Sequence, residues 1–148
     1  AVQVLLDSQL VTVWGESRTG SSFIDAWNRL VNRNDWSRFF EKLEKIRGLQ
    51  DDWDSYNAPA PTFQAIENAS TFLDLLKKRG VLPSRLAASA VGGVGITIRR
   101  GTRKAYIEFL NNGVVSALYA NDEDRTLKSE KVSDFEQVIS AIEGYLDG

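Results

Sequence analysis

Neither histidine nor cysteine occurs in this sequence, and each absence removes chemistry. Without cysteine there is no disulfide, no zinc thiolate site and no thiol nucleophile, which fits a reducing compartment. Without histidine there is no Ser-His-Asp triad, no imidazole general base and no ordinary transition-metal ligand. Most small hydrolases and metalloenzymes are excluded together. Apolar runs stay far below the roughly 18–20 residues of a membrane helix, and the start, Val2-Gln3-Val4-Leu5-Leu6-Asp7, lacks the basic region of a signal peptide. A cytoplasmic protein with no membrane contact is the expectation. A net charge of −2 gives no global field that would draw the chain to nucleic acid.

What is present is ordinary for a globular protein. A hydrophobic fraction of 43% in 148 residues is enough for one real core. We expect a single domain over 1–148, with N-terminal strands and helices over 1–50, a central loop and helix over 51–80, a β-meander over 84–120 and a C-terminal helix over 133–146.

The most information-dense stretch is Asp51-Asp52-Trp53-Asp54-Ser55-Tyr56-Asn57-Ala58-Pro59-Ala60-Pro61-Thr62, which carries two of the three prolines. Before it, residues 2–14 read as extended, with Asp7-Ser8 as a turn. Ser21 or Ser22 can cap a helix that aligns Phe23, Ile24, Trp27, Leu30 and Val31. Asn34 or Asp35 can cap a second one, with Trp36, Phe39, Phe40, Leu43 and Ile46 on one face and Gly48 at its end. After the loop, Thr62 caps a third helix with Ala65, Ile66, Ala69, Phe72, Leu73 and Leu76 inward, closed by Gly80.

From Leu86 the period changes to two. Leu86–Val91, Val94–Arg100, Arg103–Leu110 and Val114–Ala120 predict strands, punctuated by Gly92-Gly93, Gly101-Thr102 and Asn111-Asn112-Gly113. Gly92-Gly93-Val94-Gly95 has no following Lys-Ser/Thr and reads as a turn and a bulge, not a phosphate loop. Residues 121–131 read as a charged connector. Ser133 and Glu136 form a capping-box pattern before a last helix with Val138, Ile139, Ile142, Tyr145 and Leu146 on one stripe. The class is α+β, with helices packed on one face of an antiparallel β-meander.

The run from Asp52 to Pro61, with the helix that follows, resembles a pattern in uncharacterised bacterial proteins, roughly Gly-Trp-Asp-x-Tyr-x-Ala-x-x-Pro before a helix and a short β-meander. Asp52 stands where Gly is common in that pattern. The resemblance covers about residues 43–120 and implies a bacterial origin and a shared architecture, without a reaction.

Three constellations bear on function. Asp51, Asp52 and Asp54 can offer oxygens to Mg²⁺ or Ca²⁺, but the alternating order of a calcium loop is missing, and such acids commonly fix turns. Arg99, Arg100, Arg103 and Lys104 surround the turn at Gly101 and can touch phosphates, although only Tyr106 adds an aromatic and the chain is acidic. Aromatic and arginine side chains in loops and strands are the types enriched at interface hot spots. The resulting expectation is a small non-catalytic protein-interaction module, such as an accessory, immunity or antitoxin-like partner. It would need no cofactor and no metal. It would engage another protein or a second copy of itself through Tyr56, Arg99, Tyr106, Glu108 and Tyr119, with Trp53 in a structural role. Two alternatives stay open: a carboxylate- and metal-dependent enzyme centred on Asp51–Asp54, and a weak nucleic-acid binder through the Arg99–Lys104 hairpin.

Overall fold

A computed structural model describes residues 2–6, 9–13 and 35–148, the first two segments through their backbone alone. The chain divides into two compact units, Ala1–Phe40 and Glu41–Gly148. In the first unit, strands β1 (Val2–Leu6) and β2 (Gln9–Val13) pair antiparallel from Val2↔Val13 to Leu6↔Gln9. The turn at Asp7-Ser8, the helix expected after Ser21 or Ser22 and the cap at Asn34 lie outside the described residues. Helix α1 covers residues 35–47 and crosses the boundary between the units. Trp36, Leu43 and Ile46 on its expected apolar face are buried. Gly48 ends it through a right-handed turn, its N–H reaching Lys45 O at 3.1 Å, without the left-handed cap that a terminal glycine suggests.

The second unit is an α+β layer pair. Strands β3 (Arg85–Ala88), β4 (Gly93–Arg100), β5 (Arg103–Leu110), β6 (Val115–Asn121) and β7 (Thr126–Lys131) form an antiparallel meander in chain order. Helices α2 (Phe63–Arg79) and α3 (Phe135–Asp147) touch each other and pack on the central strands β4 and β5. Both use one sheet face, because Phe72 of α2 and Phe135 of α3 each meet Phe109 of β5, at ring-centroid distances of 5.4 and 6.0 Å.

Local chemistry explains the elements. The Thr62 side chain accepts from Ala65 N, and the stripe Ala65, Ile66, Ala69, Phe72, Leu73 and Leu76 is buried throughout. Gly80 closes α2 in the left-handed conformation at φ 70°. In the sheet, Val94, Ile96, Ile98, Ala105, Ile107 and Phe109 alternate inward on the helix face.

Four expectations need correction. Strand β3 stops at Ala88 instead of Val91, because Ser89 N donates to Gly93 O and Gly92 N to Ser89 O, closing a turn over 89–92. No bulge interrupts β4, whose register with β5 runs unbroken from Gly93↔Leu110 to Arg100↔Arg103. Gly95 instead makes room for an aromatic ring: a Cβ there would stand 2.6 Å from Cε2 of Tyr106. The connector over 121–131 contains a fifth strand, β7, paired with β6 from Ser116↔Lys131 to Asn121↔Thr126. Its polar sequence hides it, since an edge strand needs little apolar surface and tolerates lysine. Finally, α3 is capped by Asp134, which accepts from Gln137 N at 3.2 Å, one residue after the cap expected at Ser133, and the helix begins at Phe135.

Two glycines test this geometry. Gly93 has φ 108° and would press a Cβ into the Phe109 carbonyl, whereas Gly101 has φ 61° with open space around it. We expect Gly93→Ala to cost more than about 3 kcal/mol and Gly101→Ala only about 1–2 kcal/mol in urea unfolding.

Candidate functional site

The central loop folds on its own acids. Asp51 Oδ1 accepts from Ala60 N at 2.9 Å and Asp52 Oδ1 from Asn57 N at 2.8 Å. Asp54 Oδ1 takes both Tyr56 N at 2.8 Å and Ala58 N at 3.0 Å. Trp53 is half-buried and donates its indole N–H to Pro59 O at 3.1 Å. These bonds hold three non-glycine residues, Asp52, Ser55 and Asn57, at positive φ near 65°. The acids therefore serve backbone amides. Among the described residues no cluster of three or more acidic side chains is placed to hold a metal ion.

A second set of bonds ties the loop to the sheet. Asn111, in the β5–β6 turn, donates from Nδ2 to Ala60 O at 3.0 Å and accepts Thr62 N on Oδ1 at 2.7 Å. Thr62 Oγ1 returns a bond to Asn111 O at 3.2 Å. Pro59 lies beside Gly92 of the β3–β4 turn, and Gln64 at the start of α2 lies beside Gly113. One end of the unit thus gathers the central loop, both turns and the N-terminus of α2. It exposes three large apolar side chains: Tyr56 at 86%, Phe63 at 74% and Val91 at 71%.

Of the residues expected to form one patch, Tyr56 belongs to this end and Glu108 touches it through Ser89 of the β3–β4 turn. Arg99, Tyr106 and Glu108 share the sheet face away from the helices, as their register requires, and each is engaged there. Arg99 reaches Asp122 Oδ2 at 2.7 Å, Glu108 accepts from Ser89 Oγ at 2.9 Å, and Tyr106 lies over Gly95. The guanidinium of Arg99 holds the Asp122 carboxyl below its ordinary range. Tyr119 is on the opposite face: it pairs with Ala105 and is buried at 5% exposure. The expected single patch of tyrosines therefore does not exist, because an odd-even step along β5 and β6 puts Tyr106 and Tyr119 on different faces. Phe63 and Val91 were not singled out by sequence. Phe63 sits directly after the cap and off the buried stripe of α2, a signal that was there to be read.

The basic hairpin is also occupied. Arg100 pairs with Asp147 at the end of α3, and Arg103 donates to Tyr145 O at 2.7 Å while lying 5.3 Å from the Tyr145 ring centre. Phosphate contacts here would compete with intramolecular ones.

Tyr119 does line a cleft of about 170 Å³ between α3 and the helix face of β6 and β7, with Thr126, Lys128, Glu130, Ala141 and Tyr145. Its hydroxyl donates to Glu130 Oε1 at 2.7 Å, and its ring meets that of Tyr145 edge-on at 5.3 Å. Burial, then the bond to Glu130, pushes the Tyr119 hydroxyl well above its ordinary value, so it stays protonated and cannot act as a base. The Tyr145 hydroxyl is buried without a hydrogen-bond partner.

No protein-family model, no curated protein and no solved structure matches the chain.

Two outcomes follow from the tyrosines. Tyr145→Phe removes a buried hydroxyl that has no partner and should be neutral or stabilising by up to about 1 kcal/mol, while Tyr119→Phe, which breaks a bond to a carboxylate, should cost about 1–2 kcal/mol by denaturant titration. The hydroxyls of Tyr106 and Tyr119 are both raised above 10.0, by burial first. A raised folded-state value means stability is intact below the unfolded value and declines as pH rises past it. Stability should therefore fall between about pH 9 and 11, and a Tyr106→Phe, Tyr119→Phe double variant should lose less over that range.

Proposed function

We propose that the chain is a non-catalytic protein-interaction module whose contact surface is the end of the second unit built by the central loop. One observation carries this reading: Tyr56, at 86% exposure, stands on a loop whose backbone is clamped by Asp51, Asp52 and Asp54. Left-handed backbone at three non-glycine residues costs free energy, and an exposed aromatic gains little by itself. The combination makes sense as a preorganised anchor, which binds without paying to order its loop. Phe63 and Val91 on the same end supply further apolar area. The small acidic chain, without histidine or cysteine, suits an accessory, immunity or antitoxin-like partner. Asp52 has φ 66°, the conformation that favours the glycine common at that place in the resembling bacterial pattern, which supports a shared architecture and origin.

The test is a Tyr56→Ser, Phe63→Ser double variant. Both side chains are exposed, so urea unfolding should match the parent within about 0.5 kcal/mol. Capture from bacterial extract, read by mass spectrometry, should lose the species that the parent protein retains. Identical capture by parent and variant would overturn this assignment.

A further inference from the structure

The strand that sequence reasoning missed is also the open edge of the sheet. Strand β7 pairs with β6 on one side, and among the described residues no strand pairs with its other side. Thr126, Leu127, Lys128, Ser129 and Lys131 are exposed and Glu130 is half-buried; Leu127 alone is 68% exposed. An edge of this length is usually guarded by charged side chains, lysine above all, or by proline. Here the charges alternate along the strand, and that alternation matters for a copy of the same strand.

We propose that β7 pairs antiparallel with β7 of a second copy of this chain, about a two-fold axis through Ser129. Two independent constraints select this register. The first is the backbone. Val132 N donates to Val115 O at 2.8 Å and continues the β6–β7 register, so the backbone groups of residues 126, 128, 130 and 132 point at β6. Those of Leu127, Ser129 and Lys131 point outward. A two-fold pairing can bond outward groups only to outward groups, which restricts the axis to pass through a residue, not between two.

The second constraint is charge. An axis through Lys128 sets Lys128 opposite its own copy, and an axis through Glu130 does the same for Glu130; both are repulsive. An axis through Ser129 sets Lys128 opposite Glu130 of the second copy, twice by symmetry. These are pairs without a direct ladder bond, in which the side chains come closest. The same register sets Leu127 opposite Lys131, whose aliphatic stem can cover it. Ser129 meets Ser129, and about six ladder hydrogen bonds form. The result is a continuous sheet across both copies, with one self-complementary interface. It uses no residue of the loop end, so it stands or falls apart from the interaction reading given above.

Light scattering and sedimentation at about 100 μM, a concentration suited to a small edge interface, should give twice the 16.5 kDa chain mass. Lys128→Glu alone places Glu opposite Glu and should give a monomer. Glu130→Lys alone places Lys opposite Lys and should do the same. An equimolar mixture of the two single variants restores opposite charges at both positions and should form a heterodimer, at least tenfold tighter than either variant with itself. Glu130 also accepts the Tyr119 hydroxyl, so Glu130→Lys is checked by circular dichroism. If it does not fold, Lys128→Glu with Ser129→Pro decides the case alone, since proline removes an outward N–H. A wild-type monomer at this concentration overturns the proposal. So does a dimer whose mass Lys128→Glu leaves unchanged.

Discussion

Phe109 is the point on which the second unit depends. Its ring, near the end of β5, meets Phe72 of α2 at 5.4 Å and Phe135 of α3 at 6.0 Å, while Phe72 and Phe135 meet each other edge-on at 5.4 Å. Tilted and edge-to-face contacts at these distances are the favourable arrangements for aromatic rings. One triangle of rings therefore joins two helices that are far apart in sequence to a single strand. The rest of the core, Leu73, Leu76, Ile96, Ile107, Ile139 and Ile142, fills in around it with every side chain almost fully buried.

The loop end follows from that anchoring. Phe72 fixes where α2 lies on the sheet, and Thr62 fixes where α2 begins. Asn111 then joins the cap to the β5–β6 turn through two hydrogen bonds with Thr62 and a third to Ala60 O. Everything between α1 and α2 must close within that frame. Asp51, Asp52 and Asp54 let it do so by accepting from the amides of Tyr56, Asn57, Ala58 and Ala60. The acids that first suggest a metal site are thus consumed in shaping the loop, and Tyr56, Phe63 and Val91 are what the shape leaves exposed.

Charge follows the same pattern of internal use. Arg99, Arg100 and Arg103 surround a hairpin tip and look free in the sequence, yet each finds a partner in the turn after β6 or in α3. Arg79 near the end of α2 reaches Glu143 at 2.9 Å and Glu136 at 3.3 Å, binding the two helices together. Exposed pairs of this kind add little to stability individually. Their effect is to fix orientation and to reduce the positive charge available to a polyanion. On β7, Lys128, Glu130 and Lys131 alternate in sign along the open edge of the sheet.

Elements whose signal is local were legible in the sequence alone. The buried stripe of α2, its Thr62 cap and Gly80 end, the turns at Gly101 and Gly113, and the span Arg103–Leu110 follow from propensity, periodicity and left-handed glycine, each of which acts within a few residues. The exclusions of imidazole and thiol chemistry are compositional and needed no structure. What required the tertiary structure depends on contacts between distant residues. Strand β7 has too few apolar residues to announce itself and exists because β6 offers it a ladder. The separation of Tyr106 from Tyr119 is decided by the register between β5 and β6, which no single strand encodes. The loop acids reach amides no more than nine residues away, so their part in fixing a turn was legible, whereas the tie of Ala60 and Thr62 to Asn111, about fifty residues later in the chain, was decided by the tertiary structure.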